Sequence, residues 1–477
     1  MNKSVDKPAA EPEAGKNAGK KYVLAAVTVA AFLPPFMGSA VNLAVPSIAA
    51  QLGGGSLLLG WVVSSYLLVT AALLVPAGRF SDIYGRKKVF LTGLAVFALG
   101  SLLCGLAPSI YALIAARVLQ GAGASMLFST GMAILTSVFP PHERGRVLGI
   151  NVAAVYTGLS LGPVLGGSLN HYFGWQSIFY FNFLLGALTL LLAAVTLKGE
   201  WVGAPGERFD LLGAVMYAAG ISFSLYGFSS LATQKGAGAV LAGGVLLLAA
   251  FMVYQLNCRQ PVFNARLFAG NRVFAFSNLA ALINYSATFA AGFLLSIYLQ
   301  VVRGFDSQVA GLILLSQPVM MALLSPLAGS LSDRKEPRVI SSWGMALTTA
   351  GLWLLTGLSA GTPVWWVVAD LLLLGTGFAF FSSPNTNAVM SSVEKRFYGI
   401  ASSTLGTMRL VGQAASMALA TLIVDFFLRG APIAPSSAHL LVKSVSVSFA
   451  VFGATCFLGI FASLARGNTG REISEEG

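Results

Sequence analysis

Four ionisable residues stand inside or against long apolar stretches of this 477-residue chain, where a charge is expensive: Asp82, Arg117, Asp370 and Arg409. Asp82 and Arg86 are four residues apart and can pair on one helical turn. Arg117, Gln120, Gly121 and Ala124 share one helical face, and an arginine at that depth points to an aqueous path. Asp370 lies about eight residues, roughly 12 Å, inside one apolar segment, and Arg409 about eleven residues inside the next. At those depths the two can meet. The chemistry open to them is a fixed ion pair, or an acid that takes up and gives back a proton. Burial and a neighbouring arginine act on such an acid in opposite directions, so both readings stand. Asp425 sits near the end of its segment and reads as a solvated interfacial acid.

Other chemistries find no support. Three cysteines (Cys104, Cys258, Cys456) and three histidines (His142, His171, His439) form no cluster with metal-ligand or disulfide spacing. No nucleophile stands with a base, and no Gly-Lys-Ser/Thr loop cradles phosphate. A membrane enzyme and an ATP-driven machine are both disfavoured.

These residues need elements that hold them at depth. The chain is 56% hydrophobic and 10% charged, whereas soluble chains carry roughly 25% charged residues, so it reads as an integral membrane protein. Mostly apolar segments of about 20 residues or more can cross a bilayer. They fall near 22–50, 57–78, 88–107, 109–138, 145–170, 175–197, 210–232, 236–257, 273–301, 308–332, 338–359, 362–391, 398–428 and 439–465. Fourteen spans put both termini on one side. With that side inside, 23 Lys and Arg fall in inner tails and loops, and 4 (Lys235, Arg303, Arg429, Lys443) fall outside. Both termini are therefore expected in the cytoplasm. The net charge of +12 is topological, and nucleic acid is not an expected partner. Residues 1–21 read as a polar, disordered tail. They are not a signal peptide, because the first apolar run is long enough to span and carries no cleavage site.

The run Gly78-Arg79-Phe80-Ser81-Asp82-Ile83-Tyr84-Gly85-Arg86-Lys87-Lys88 reads as a basic inner loop. Gly78 would let two helices approach closely and Gly85 would permit a tight turn. Gly329-Ser330-Leu331-Ser332-Asp333-Arg334-Lys335 looks like a worn copy, 251 residues later. Two related six-helix halves follow, 22–200 and 261–466, with an inserted helix pair at 201–260 and a tail at 467–477. Parallel halves that rock about a central site are a recurrent design. In the fifth segment Gly158, Gly162 and Gly166 recur every four residues and Gly167 follows, a smooth stripe for a neighbouring helix. Pro163 removes a backbone hydrogen bond there and bends the helix.

Taken together, these stretches resemble the major facilitator superfamily. Gly78, Asp82, Gly85, Arg86 and Lys87 are similar to its loop motif between helices 2 and 3. Arg117, Gln120 and Gly121 are similar to its helix-4 pattern, and Gly158, Gly162, Pro163, Gly166 and Gly167 to the helix-5 motif of its antiporters. Fourteen spans narrow the resemblance to the drug:proton antiporter branch, and Asn42–Pro46, Trp175–Gly186 and Phe209–Gly213 agree with it. The resemblance implies an all-α polytopic fold of two six-helix halves plus two inserted helices. It further implies no cofactor, a proton gradient as energy source, and export of a small amphipathic or hydrophobic substrate across the cell membrane. A monomer working by alternating access is expected, with the helix-5 glycines as a sliding surface and the Asp82 loop as an inner latch.

The chain departs from the branch at one telling place. Met37, nine residues before Pro46, stands where an aspartate tied to proton coupling or cation binding is usual. Gln176 and Ser316 replace a common arginine and a common proline. Met37 keeps open a second reading, a polytopic sensor or complex subunit on a transporter scaffold. Polar residues within spans are expected to line a cavity or to bond between helices: Asn42, Gln120, Asn151, Tyr156, Asn182, Asn284, Tyr285, Gln300, Gln317, Asn385, Asn387 and Gln413. Asn42, Asn385 and Gln413, with Asp370 and Arg409, are the candidate substrate and coupling groups. With no acid inside the first-half helices, neutral, zwitterionic or anionic substrates are expected to be handled at least as well as cations.

Overall fold

A computed structural model describes residues 13–53, 56–230, 236–428 and 435–467. Among them, fourteen helices are long and apolar enough to cross a membrane. The first six are α1 (Glu13–Leu52), α2 (Ser56–Tyr84), α3 (Arg86–Gly105), α4 (Ile110–Val138), α5 (Arg144–Phe173) and α6 (Gln176–Thr196). The inserted pair is α7 (Leu211–Ser229) and α8 (Ala237–Asn257). The last six begin with α9 (Arg272–Val302), α10 (Gln308–Arg334) and α11 (Pro337–Gly357). They end with α12 (Val364–Ser391), α13 (Tyr398–Leu428) and α14 (Ala438–Ala465). Lipid offers the backbone no partners, so each crossing must satisfy its own N–H and C=O groups, and a helix does so within one segment. Freed N–H groups at helix starts find side-chain acceptors: Ser109 caps α4, Asp210 caps α7 and Asn271 caps α9.

The packing repeats. In the first half α1 lies on α5 and α6, α3 on α4 and α6, and α2 on α4. In the second half α9 lies on α13 and α14, α11 on α12 and α14, and α10 on α12. Each pairing is the first with every helix number raised by eight. The halves meet along two seams related by the same shift, α5 on α10 and α2 on α13. Helices α7 and α8 pair with each other, and α7 leans on α2 and α13. Tyr217 of α7 joins both, with its hydroxyl 2.9 Å from Thr407 Oγ1 and 3.4 Å from the Ala71 carbonyl.

Three expectations are corrected. Helix α1 begins at Glu13, so the later part of the expected tail is helical. Residues 1–12, Lys235, Arg429 and 468–477 lie outside the described residues. Helix α2 runs to Tyr84, so Gly78–Tyr84 is its last two turns and the connection to α3 is Gly85 alone, at φ 114°. Likewise Gly329–Arg334 lies inside α10. Helix α9 is broken: one piece ends at Thr288 and the next starts at Ala291. Ser416 Oγ of α13 accepts the freed Ala290 N–H at 3.0 Å, which pins the break.

Candidate functional site

At the basic end of the bundle the two seams are closed by matching clasps. Asp82 is fully buried. Its Oδ1 accepts from the Gly399 N–H at 3.0 Å and its Oδ2 from the Ile400 N–H at 3.1 Å, in the first turn of α13. On the other seam Asp333 Oδ1 accepts from the Gly145 N–H at 2.7 Å and Oδ2 from the Arg146 N–H at 2.9 Å, in the first turn of α5. A carboxylate on orphan N–H groups at a positive helix end is a favoured arrangement. Glycines allow the approach. A Cβ on Gly78 would strike the Gly399 carbonyl and Ser403, and a Cβ on Gly149 would strike the Ser325 carbonyl.

The Asp82 clasp carries further bonds. Arg86 donates to Asp82 Oδ1 from Nε at 3.0 Å and Nη2 at 2.7 Å, across the Gly85 turn. It also donates to Ser137 Oγ at 2.8 Å and to the Lys395 carbonyl at 2.5 Å. The expected Asp82–Arg86 pair therefore exists, and it also holds the second half. The segment between α6 and α7 covers it. Gly203 and Ala204 donate N–H to the Asp82 carbonyl at 2.9 and 2.8 Å. Glu200 accepts the Lys87 and Lys88 N–H groups at 2.7 and 3.2 Å, capping α3, and Glu207 pairs with Arg79.

Beyond the clasps, toward the opposite end, lies a cavity of about 880 Å³. Its walls come from α1 (Pro34 to Asn42), α2 (Gly60 to Ala71), α4 (Phe128), α5 (Val155 to Leu159), the end of α7, the break in α9 and α13 (Arg409 to Met417). Ala71 is eleven residues from Asp82 along α2, roughly 16 Å at helical rise. Trp61 and Tyr226 stack on one wall with centroids 5.8 Å apart. At its floor the hydroxyls of Tyr156 and Tyr285 lie 3.4 Å apart and each reaches Ser382 Oγ, over the ring of Phe378. Arg409 stands over the Tyr285 ring, 5.3 Å from its centroid. Asn42 and Gln413 line the cavity, as two of the candidate groups.

The other candidates go elsewhere. Asn385 donates to the Ser277 carbonyl and accepts from buried Arg466, inside the second half. Arg117 does not line the cavity. Its Nε donates to the Val62 carbonyl at 2.9 Å, its Nη1 to Gln120 Oε1 at 2.5 Å, and its guanidinium lies 4.2 Å from the Tyr66 ring centroid. Gln120 passes on to Ser101 at 2.7 Å. Gly121 lets α2 close on α4, since a Cβ there would meet the Tyr66 carbonyl. Asp370 and Arg409 do not pair. Both Asp370 oxygens are buried without a hydrogen-bond partner, and Oδ1 faces Gly351 of α11. Met37 is buried in the core and does not line the cavity.

The helix-5 stripe also changes place. Gly158, Gly162 and Gly166 pack on Phe32, Ser39 and Ala40 of α1, within one half, and Gly167 touches Leu43. Pro163 lies inside a continuous α5. The glycines of α5 that meet the other half are Gly145 and Gly149, also four residues apart but too few to stand out as a stripe. A second copy of the clasp motif was the available signal for them, because Asp333 had to find a helix end.

Comparisons with known proteins agree with this architecture. The family model described as Major Facilitator Superfamily matches residues 27–269 and 277–476. The chain is 29% identical over 454 residues to the riboflavin transporter RibZ of Clostridioides difficile (strain 630), covering 93% of this chain and 97% of that protein. It is 32% identical over 388 residues to the multidrug resistance protein Stp of Mycobacterium tuberculosis (strain CDC 1551 / Oshkosh), covering 80% and 71%. The crystal structure of the human organic anion transporter MFSD10 (TETRAN) superposes with a TM-score of 0.63 at 18% identity, covering 93% of this chain and 99% of that one. That likeness is one of fold.

Proposed function

The chain belongs to the Major Facilitator Superfamily, and on that premise we propose that this secondary transporter is a proton-coupled exporter of small amphipathic molecules in the fourteen-span drug:proton antiporter branch. The observation that carries the reading is the pair of clasps, Asp82 on α13 and Asp333 on α5, closing one end beneath a cavity that lies toward the other. Hydrogen bonds to a charged group are worth about 1.5–3 kcal/mol each. A closure of this kind is firm yet reversible, which is what rocking halves need. The excess of Lys and Arg supports a cytoplasmic location for the clasped end and for both termini. In this conformation the cavity faces outward and the cytoplasmic gate is shut.

Asp370 is our choice for the proton carrier. An ionised carboxylate without hydrogen bonds or a counter-ion is not sustained in an apolar interior. We read it as carrying a proton in this conformation and releasing it when the bundle opens the other way. Multidrug breadth is supported by the aromatic walls and by the resemblance to Stp. A riboflavin transporter among the relatives argues for a range of planar cargoes.

Purified full-length protein in liposomes tests the reading. A pH-sensitive dye and a compound panel are followed together under an imposed pH gradient. Substrate moving against protons is the expected result. Compounds that bind while neither substrate nor protons cross would mark a sensor or complex subunit instead.

A further inference from the structure

The cavity holds one charge. Among its described lining residues Arg409 is the single Lys, Arg, Asp or Glu, and the rest are aliphatic, aromatic, small or neutral polar. Among the described residues no carboxylate forms an ion pair with Arg409, and its Nε has no hydrogen-bond partner. Its guanidinium lies over the face of Tyr285 and near the Tyr285 and Tyr156 hydroxyls. A guanidinium on a cavity wall, left without an anion, is an unspent binding group, since charge-assisted bonds to carboxylate are the strong ones available to it.

Gln413 stands four residues on along α13, so both side chains reach the cavity from one helix face. Together they offer a guanidinium fork and an amide N–H₂ to the same ligand group. Much of the remaining lining is apolar, with Trp61 stacked on Tyr226 and with Phe128, Phe289 and Tyr66 also among the lining side chains. About 880 Å³ lies within the range of drug-sized sites, roughly 300–1,000 Å³. A cationic ligand here would meet Arg409 with no acid to offset it.

We infer that the cavity is built for an amphipathic organic anion, a carboxylate seated on Arg409 and Gln413 with a planar apolar body against the aromatic wall. This deepens the transporter reading and rests on it only for the movement of the anion, not for its binding.

Three probes of one ring system and different charge test it: 2-naphthoate, 2-naphthamide and 2-(aminomethyl)naphthalene. Each is titrated calorimetrically into the full-length protein in nanodiscs, with empty nanodiscs subtracted. Naphthoate is expected to bind about tenfold or more tighter than the amide, with the amine weakest. Arg409→Gln removes that preference, Arg409→Lys keeps part of it, and Gln413→Ala reduces it less than Arg409→Gln. The wild-type comparison stands alone if a variant does not fold. Equal binding of naphthoate and amide, no naphthoate binding at millimolar concentration, or a preference that survives Arg409→Gln overturns the inference. Proteoliposome counterflow separates the two ideas. Preferential binding without flux keeps the anion seat and removes the transporter reading. Flux without preference does the reverse.

Discussion

Gly145 of α5 and Gly329 of α10 meet backbone to backbone, and a Cβ on either would land on the other's carbonyl oxygen. Gly78 and Gly399 do the same on the second seam, between α2 and α13. The closed end is therefore held by contacts that any larger side chain would push apart.

Alanine at Gly145 or Gly399 is expected to open that end. Overpacking a tight site costs about 1–3 kcal/mol, and tenfold in population is about 1.4 kcal/mol. A single cysteine at Ser403→Cys, in a chain lacking Cys104, Cys258 and Cys456, reports the opening by its thiol-labelling rate. Labelling is expected to rise several-fold in Gly145→Ala. An unchanged rate would mean that this seam does not set the conformation.

Each clasp is expected to matter for transport. Asp333→Asn loses charge assistance to the Gly145 and Arg146 N–H groups, about 1.5–3 kcal/mol for each bond to a charged group. Asp82→Asn also leaves Arg86 buried without its anion, and breaking a buried pair costs about 3–5 kcal/mol. Asp82→Asn is expected to slow transport at equal abundance in the membrane. An initial rate in vesicles equal to that of the unsubstituted protein would show that the Arg86 pair adds nothing.

Asp370→Asn keeps the shape of a protonated carboxyl. The protein is expected to fold and reach the membrane normally, to lose transport driven by a pH gradient, and to retain substrate exchange without one. Normal gradient-driven transport in this variant removes Asp370 from the coupling step.

Arg117 is expected to matter for stability and not for selectivity. Arg117→Lys gives up the fork that reaches the Val62 carbonyl and Gln120 at once, and leaving those acceptors unpaired costs about 1–3 kcal/mol. The melting temperature should fall while the order of preferred substrates is unchanged. A reordered preference at constant melting temperature would return Arg117 to the cavity wall.

Several of these features were legible residue by residue. The Asp82–Arg86 pair was visible in a spacing of four, and the copied order of Gly329, Ser332 and Asp333 marked a related run without showing that it clasps α5. The Gly78–Tyr84 run looked like a loop because glycine and charge discourage a helix in water. It stays helical because it is buried between α13 and the segment before α7, where its charges find partners. The Gly158–Gly166 period announced a close neighbour without saying which, and that neighbour is α1. Asp370 and Arg409 were placed at similar height, yet height leaves the bearing around each helix open. Asp370 faces α11 and Arg409 faces the cavity.

By itself the sequence determined how many times the chain crosses and how deep each polar residue sits. Apolar length and the placement of charge are properties of consecutive residues, and lipid enforces them locally. Only the tertiary structure decided which glycines carry the seams, which arginine is satisfied and which is left facing the cavity. Those outcomes depend on helices far apart in the chain, brought within a side chain's reach of one another.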